Sequence, residues 1–318
     1  MTASSASAFA VPEFRVSKPT VVKTPSLIDT AWHPLATGCP PGWASGWGQD
    51  RYGVFVEFTV REVTQRLRWI PPGRFWMGSP EEEPGHYDNE GPRHPVTLTH
   101  GYWLFDTPCT QALWTAVMGQ NPSQFQSPTR PVENVSWEDV QTFLSKINEQ
   151  IPNLHLALPS EAQWEYACRA GTETAIYTGD LAILGKCNAP ALDPIAWYGG
   201  NSGVNFDLTN GDDSSSWKEK QYPHTRAGTR PVKLKKANPW GLYDMLGNVM
   251  EWTQDRWHEN YQDAPTDGLA WEDRSTGERR PLRGGAWDGK ARYVRASCRI
   301  DRSPNYRSGL IGFRCAQT

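Results

Sequence analysis

Helical periodicity in this chain is confined to residues 110–171, and this restriction limits the possible folds more than any other feature. Three short helices are predicted there, capped at their N-termini by Thr110, Ser136 and Ser160. Beyond Gly171 the chain has only short apolar pieces separated by Gly, Asn, Asp and Pro. Sixteen Trp, together with 28 Gly and 26 Pro, favour a loop-rich fold held by large aromatic side chains over a helical bundle.

Strand patterns precede the helices. Residues 54–60 (VFVEFTV) alternate, and residues 65–70 (QRLRWI) follow after a short polar turn, so the two segments predict a β-hairpin. Residues 1–40 are rich in Ser, Thr, Pro and Ala and predict a poorly ordered lead. We therefore divide the chain into an N-terminal arm with a short β-hairpin, residues 1–61, and one domain, residues 62–318.

Charge and cysteine usage exclude several classes of protein. A net charge of −3 gives no electrostatic reason to expect nucleic-acid binding. No apolar run is long enough for a membrane span, so no membrane insertion is expected. The first sixteen residues lack a basic region followed by an apolar core, which favours a cytoplasmic protein. Six scattered Cys without a CxxC pair argue against a zinc site or a dense disulfide framework. Nothing indicates the oligomeric state.

Seven motifs follow one another in a specific order. They are RWIPPGRFWMGS, RHPVTLTHGYWLFDTPCTQALW, RPVENVSWEDVQTFL, LPSEAQWEYACRAG, NPWGLYDMLGNVMEWTQD, LRGGAW and IGFRCA. This order resembles the formylglycine-generating enzyme (sulfatase-modifying factor) family over about residues 66–318. The resemblance implies an α+β fold of the C-type-lectin type, loop-rich, with a small twisted antiparallel sheet and packed helices.

The family's catalytic residues are the next question. Members that oxidise a substrate cysteine resemble one another in two cysteines, which lie shortly after the RGG-aromatic segment and bind copper as thiolates. The chemistry needs both, because soft thiolates select Cu(I). Here no Cys lies between Gly285 and Arg295, and Cys298 stands alone downstream. We therefore expect neither copper nor catalytic residues.

A second oxidising chemistry occurs among relatives of this family. Related sulfoxide synthases bind iron through His ligands, partly supplied by an added N-terminal helical domain. This chain offers His33 before the shared fold and then His86, His94 and His100, none at helical i, i+4 spacing. We interpret these histidines as loop and surface residues. A metal-dependent oxygenase or formylglycine-generating-type enzyme remains the alternative function, and an accessory domain of a larger assembly, docked through the arm, is a further one.

The C-terminal segment resembles another branch of the fold, the variable proteins of diversity-generating retroelements. In them, adenine-directed mutagenesis rewrites AAY codons near the 3′ end of the gene. Their C-termini have an RGG-aromatic entry, changeable positions among fixed Arg and Ala, and an IGFR-like ending. This chain has LRGGAW at 282–287, four arginines at fixed-looking positions and IGFRCAQT as its last eight residues, which is part of the resemblance. The arginines are Arg292, Arg295, Arg299 and Arg307.

One check on this resemblance uses the genetic code. A mutated AAY codon becomes NNY, which never encodes Lys, Glu, Gln, Met or Trp. None of these five occurs between Ala291 and Ala316, although they form about a fifth of the chain and about five would be expected in that window. Lys290 cannot arise from a mutated AAY codon, so the template itself would have to encode this lysine.

The resemblance implies a variable region at 287–310, and we predict that this region binds an unknown ligand, most simply a protein, with its Tyr side chains as amphipathic anchors. The alternative is that the segment is only the last two strands and a loop of the fold. The arginines are interpreted as structural, bonding backbone carbonyls. The candidate ligand-binding residues are Trp287, Asp288, Gly289, Tyr293, Cys298, Ile300, Asp301, Ser303, Tyr306, Ser308, Gly309 and Leu310.

The segment GLYDMLGNVMEW, residues 241–252, resembles the family's calcium-binding loop. The resemblance implies a structural Ca²⁺ held by the side chains of Asp244 and Glu251 and by the carbonyls of Gly247 and Val249. The alternative is that Glu251 bonds a neighbouring Arg or amide. The resemblance further implies that Cys168 and Cys315 are neighbours, as thiols in a reducing compartment.

Overall fold

A computed structural model describes residues 40–273 and 277–317, and the arm predicted for residues 1–39 lies outside this part of the chain. Among its helices, none has the length and apolar character needed to cross a bilayer. The elements are β1 (Gly46–Asp50), β2 (Gly53–Val60), β3 (Val63–Ile70), β4 (Gly73–Met77), β5 (His94–Leu98), β6 (Tyr102–Phe105), α1 (Gln111–Met118), α2 (Trp137–Gln150), β7 (Leu156–Ala157), α3 (Glu161–Arg169), β8 (Asp212–Asp213), β9 (Arg226–Ala227), β10 (Met250–Trp252), β11 (Arg280–Arg283), β12 (Arg299–Arg302), β13 (Ile311–Gly312) and β14 (Ala316–Gln317).

The main sheet has six strands in the order β1-β2-β3-β6-β14-β7, and all its pairs are antiparallel. The predicted hairpin is β2–β3, with Val60 paired to Val63. The predicted boundary between residues 61 and 62 falls inside this hairpin's turn, where Arg61 and Glu62 both have positive φ. That boundary is therefore corrected, because the hydrogen bonds of the hairpin place the residues on both sides of it in one sheet. Strand β1, which pairs with β2, belongs to the same domain.

The three predicted helices are confirmed, and so are their caps. The hydroxyl of Thr110 accepts a hydrogen bond from the backbone of Leu113, and Ser136 and Ser160 each begin a full capping box. Helices α1 and α2 cover one face of the main sheet, and their rings meet where Trp114 stacks on Phe143 at 5.4 Å. These contacts explain the α+β architecture, since each amphipathic helix buries its apolar face against a sheet.

Two large hydrophobic clusters fill the interior. One lies around α3 and contains Cys168, whereas the other lies between the main sheet, α1 and α2 and contains Cys109 and Cys315. The prediction that Cys168 and Cys315 are neighbours is therefore corrected: Cys109 is the thiol near Cys315, because β14 returns to the main sheet beside the start of α1.

The C-terminal segment forms most of a second sheet, with four strands in the order β12-β11-β10-β13. Strands β10, β11 and β12 pair antiparallel, and β13 pairs parallel to β10. Leu282 lies opposite Ile300, and Arg283 lies opposite Arg299. Since directly opposed residues share a face, this register places the arginines on one face and the two apolar side chains on the other.

Candidate ligand-binding surface

The double glycine after β11 turns the chain back over the second sheet. Gly284 and Gly285 have φ values of +92° and +73°, a region that favours glycine. A Cβ on Gly284 would lie 2.7 Å from the carbonyl oxygen of Met245, and one on Gly285 would lie 2.8 Å from that of Tyr293. The RGG motif is thus required by backbone conformation and close packing.

Four arginines between Leu282 and Gln317 are buried, and each is paired with a glutamate from a distant part of the chain. Arg295 donates to Glu83 at 2.6 Å and to Glu90 at 2.5 Å. The other pairs are Arg283 with Glu165, Arg299 with Glu161 and Arg314 with Glu251. The interpretation of Arg295 and Arg299 as structural is confirmed, with carboxylates as main partners alongside carbonyls. These pairs fix the segment to α3, to the loop at residues 79–90 and to β10.

The electrostatics of this framework follow from burial and pairing. Burial alone would raise the pKa of Glu165, but the guanidinium groups of Arg169 and Arg283 hold it below its ordinary value. Glu165 is therefore an anion that compensates two buried cations. Such a pair is costly to break, since the remaining partner would be a buried, uncompensated charge.

The candidate ligand-binding residues face mostly outward between these anchors. Ten of the twelve are partly or fully exposed; the two buried ones are Trp287 and Cys298. Trp287 is corrected as a ligand-binding residue, because it is only 2% exposed and its ring packs against Phe125 and Trp217. Its indole N–H donates to the carbonyl oxygen of Gly309 at 2.9 Å, so it supports the surface from beneath.

Five of the candidates meet around one cavity of about 320 Å³: Asp288, Gly289, Tyr293, Cys298 and Ile300. The remaining lining residues, which the sequence reasoning did not select, are Met250, Leu282, Gly285, Ala286, Lys290 and Arg302. The pairing of β11 with β12 explains part of this set, since Leu282, Ile300 and Arg302 lie on the face opposite Arg283 and Arg299. Alternation along β11 and β12 could have indicated these residues, but only if the pairing of the two strands had been known.

The chemistry of the cavity is mixed. Burial raises the pKa of the Cys298 thiol to about 12, so this side chain is an uncharged apolar wall at neutral pH. Burial also raises the pKa of Asp288 to about 6. Tyr293 forms another wall and stacks on Tyr87, with ring centroids 5.9 Å apart.

Of the remaining candidates, Asp301 lies on β12, opposite Pro281, and the other five lie on the loop between β12 and β13, residues 303–310. Arg307 reaches α2 and forms a bidentate ion pair with Asp139, at 2.6 and 2.7 Å. The carbonyl oxygen of Ser308 accepts from the backbone N–H of Asn134 at 2.9 Å. Tyr306 is 43% exposed, and its ring lies near the guanidinium of Arg302. The loop is therefore held at defined points while several of its side chains face solvent.

The four candidate calcium ligands are close in the fold, but protein donors already engage both carboxylates. Arg314 donates to the two oxygens of Glu251 at 2.7 and 2.8 Å, and the indole of Trp164 donates to one of them. Asp244 accepts from the backbone of Lys233 and the amide of Asn248, and burial raises its pKa to about 6. Of the two carboxylates, that of Asp244 is the one without an arginine partner. It would hold the ion together with the carbonyl oxygens of Gly247 and Val249. The residues fit a calcium ion only in part, and the cation stays a prediction.

The other side chains of types that bind metals are dispersed over the described residues. Within residues 40–273 and 277–317, no group of three or more His, Cys, Asp or Glu is arranged to hold a metal ion. His86 and His100 lie in loops, as predicted, whereas His94 begins β5, where its ring packs on Tyr261 at 5.1 Å. His33 lies outside the described residues.

Comparison with known proteins identifies relatives over most of the chain. The profile of the sulfatase-modifying factor enzyme 1-like domain matches residues 53–318. The formylglycine-generating enzyme of Thermomonospora curvata is 28% identical over 316 residues, covering 80% of this chain and 94% of that protein. The inactive C-alpha-formylglycine-generating enzyme 2 of Bos taurus is 28% identical over 222 residues, covering 68% and 58%. The chaperone protein LppX of Paenibacillus barcinonensis is 32% identical over 197 residues, covering 52% and 65%.

Several curated relatives are longer than the aligned region, since the chain spans about half to two thirds of their length. Among solved structures, Treponema denticola variable protein 1 has a TM-score of 0.62 and 28% identity, covering 83% of this chain and 98% of that one. PvdO from Pseudomonas aeruginosa has a TM-score of 0.64 and 26% identity, covering 86% and 98%. The predicted fold and the kinship with variable proteins are both confirmed.

Proposed function

The chain belongs to the sulfatase-modifying factor enzyme 1-like domain family, and we propose that within it this chain is a non-catalytic recognition protein. Its C-terminal surface, the ten outward candidates Asp288, Gly289, Tyr293, Ile300, Asp301, Ser303, Tyr306, Ser308, Gly309 and Leu310, would bind a ligand. A protein is the expected ligand, because the surface combines two phenols, Tyr293 and Tyr306, and a chemically mixed set of other side chains with a cavity that has apolar walls.

One observation supports this proposal above the others: within one short segment, buried ion-paired residues stand next to residues that face outward. Arg295 and Arg299 are solvent-free and ion-paired, whereas the candidates between and around them reach the surface. Substitution at the outward positions leaves these two arginines paired, so the fold can tolerate many side chains there. Gly289 is the exception, because a Cβ on it would lie 2.9 Å from the carbonyl oxygen of Ala286. This is the arrangement that a diversified binding surface requires, and the kinship with a variable protein agrees with it.

The thiol chemistry also favours binding over oxidation. Cys298 is the one cysteine among the residues that line the cavity, and the segment between Gly285 and Arg295 contains none. A single thiol with a pKa of about 12 is a poor ligand for Cu(I), which is held by paired thiolates.

Two other functions compete with this proposal. An oxidising enzyme is favoured by the relatives that carry the name formylglycine-generating enzyme, although another relative is named inactive. An accessory domain that docks through its arm is the third candidate. It is tested by deleting residues 1–39 and not 1–60, because residues 46–60 form β1 and β2 of the main sheet. Loss of a complex on that deletion would favour the accessory role.

The proposal is tested directly in the DNA that flanks the gene. We expect a near-identical copy of the segment encoding residues 287–310, rich in AAY codons at the outward positions, next to a reverse transcriptase gene. A matching copy whose differences fall at codons of buried residues such as Arg295 and Trp287 would contradict the proposal. The absence of any such copy would count against diversification of this surface.

A further inference from the structure

We propose that the ligand of this surface is an extended, acidic segment of a protein that inserts one apolar side chain into the cavity. This inference rests on the proposed function above and adds the chemistry of the ligand. It depends on the shape of the surface, on the lining of the cavity and on the charges that surround it.

Two further cavities adjoin the first one. A second cavity of about 380 Å³ shares Asp288 and Lys290 with it, and a third of about 520 Å³ shares Lys186 and Lys290 with the second. Lys290 therefore stands where the three meet. We call the three together the groove. Three adjoining cavities suit an extended chain better than a compact small molecule, which would use one cavity alone.

The first cavity is the apolar part of the groove. Its walls include Met250, Leu282 and Ile300, and the Cys298 thiol adds no charge. Its volume of about 320 Å³ is sufficient for one large apolar side chain. Filling it removes apolar surface from water on both partners, which is the main source of affinity at such anchors.

Cations surround the groove without carboxylate partners. Within the part of the chain that the structure describes, no Asp or Glu lies within ion-pair distance of five lining cations: Lys186, Lys218, Lys290, Arg292 and Arg302. The buried arginines of the same segment are all paired, so the contrast is local. Three carboxylates also line the groove, and of these Glu83 is committed to Arg295 at 2.6 Å.

Charge complementarity therefore selects an acidic ligand. The groove carries five cations against Glu81 and Asp288 as uncommitted carboxylates, whereas the whole chain has a net charge of −3. Asp or Glu side chains of the ligand would meet Lys186, Lys290 and Arg302 while the apolar residue occupies the first cavity. A nucleic acid would satisfy the cations, but its phosphates would leave the apolar walls unused, so a protein segment is favoured.

The test begins with an unbiased selection on the full chain. A phage-displayed library of random peptides is selected on the immobilised protein, and the recovered peptides are synthesised with a fluorophore for polarisation measurements. Affinities are compared among the unchanged protein, Lys290→Glu, Ile300→Lys and a control, Lys146→Glu. The control reverses an exposed charge on α2 that does not line the groove. Because Ile300→Lys can disturb β12, each peptide is also made with Ala in place of its apolar residue and measured against the unchanged protein.

We expect recovered peptides to carry Asp or Glu on both sides of one Leu, Ile, Met or Phe. Lys290→Glu and the Ala peptide should each weaken binding by about tenfold, and Lys146→Glu should leave it unchanged. Recovered peptides that depend on Lys290 and Ile300 but lack acidic residues would overturn the acidic ligand and leave the proposed function standing. Peptides insensitive to both changes, or no recovered peptides, would count against both. Displacement of the acidic peptides by a single-stranded oligonucleotide at equal or lower concentration would overturn the inference in favour of nucleic acid.

Discussion

Arg299 donates to both carboxylate oxygens of Glu161, each at 2.8 Å, in a site from which solvent is excluded. Arg299 begins β12 and Glu161 begins α3, so this one pair joins the C-terminal segment to the helix beneath it. The rings of Trp257 and Tyr261 lie 4.2 and 4.3 Å from the guanidinium and complete its enclosure.

Breaking this pair should destabilise the fold strongly. Arg299→Ala leaves the Glu161 carboxylate buried without its bidentate partner, and we expect a loss of about 3–5 kcal/mol in the free energy of unfolding. The matched control is Arg307→Ala, which removes an equally bidentate pair with Asp139 at an exposed position and should cost about 0–1 kcal/mol. Urea denaturation of the two variants measures the difference. Equal losses would show that the buried framework does not hold the segment as described.

Outward positions of the segment should tolerate change. Ser303→Tyr, Tyr306→Ser and the two combined should each alter stability by no more than about 0.5 kcal/mol, because these side chains lie on an exposed loop. Trp287→Ala should instead cost about 3–5 kcal/mol, since the ring fills a packed aromatic cluster. Thermal denaturation distinguishes these outcomes. A tolerated Trp287→Ala would return this residue to the list of binding candidates.

The groove should bind acidic peptides more tightly as the pH falls. Burial raises the pKa of Asp288 to about 6, so this carboxylate is charged at pH 7.5 and largely neutral at pH 5, where most ligand carboxylates remain ionised. Removing its repulsion should lower the Kd about threefold across that range. Polarisation measurements with Asp288→Asn should show tighter binding at pH 7.5 and a flatter pH profile. An unchanged profile in the variant would show that Asp288 is not the source of the pH effect.

The two cysteines that line the groove, Cys298 and Cys187, should be unreactive. The thiol of Cys298 is buried, and desolvation raises its pKa to about 12; burial also raises the pKa of Cys187, beside the second cavity. Because the thiolate is the reactive form, alkylation by iodoacetamide at pH 8 should leave both unmodified until denaturant is added. Mass spectrometry of the digested protein measures this. Rapid labelling of Cys298 in the native protein would contradict its described environment.

Sequence reasoning succeeded where the signal was local. Each helix cap depends on residues three positions apart, and the β2–β3 hairpin depends on alternation next to a short turn, so both could be read along the chain. The outward positions were predicted from the family pattern, whereas the genetic-code check concerned the window from Ala291 to Ala316 as a whole. Such information does not depend on knowing the three-dimensional contacts.

The errors have a common physical cause in long-range packing. Nothing near Arg299 in the sequence indicates Glu161 as its partner, because 138 positions separate them. The burial of Trp287 depends on Phe125 and Trp217, and the separation of Cys168 from Cys315 depends on which cluster each strand or helix enters. The cavity likewise exists only because β10, β11 and β12 are adjacent.

We propose that this chain recognises a ligand and does not oxidise one. The most direct measurement loads the purified protein with Cu(I), removes loosely bound metal, and records both the copper content and the oxygen consumed in the presence of a cysteine-containing peptide. The account predicts far less than one copper per chain and no oxygen uptake above that of the protein-free control. One tightly held copper per chain with oxygen consumption that depends on the peptide thiol would contradict it.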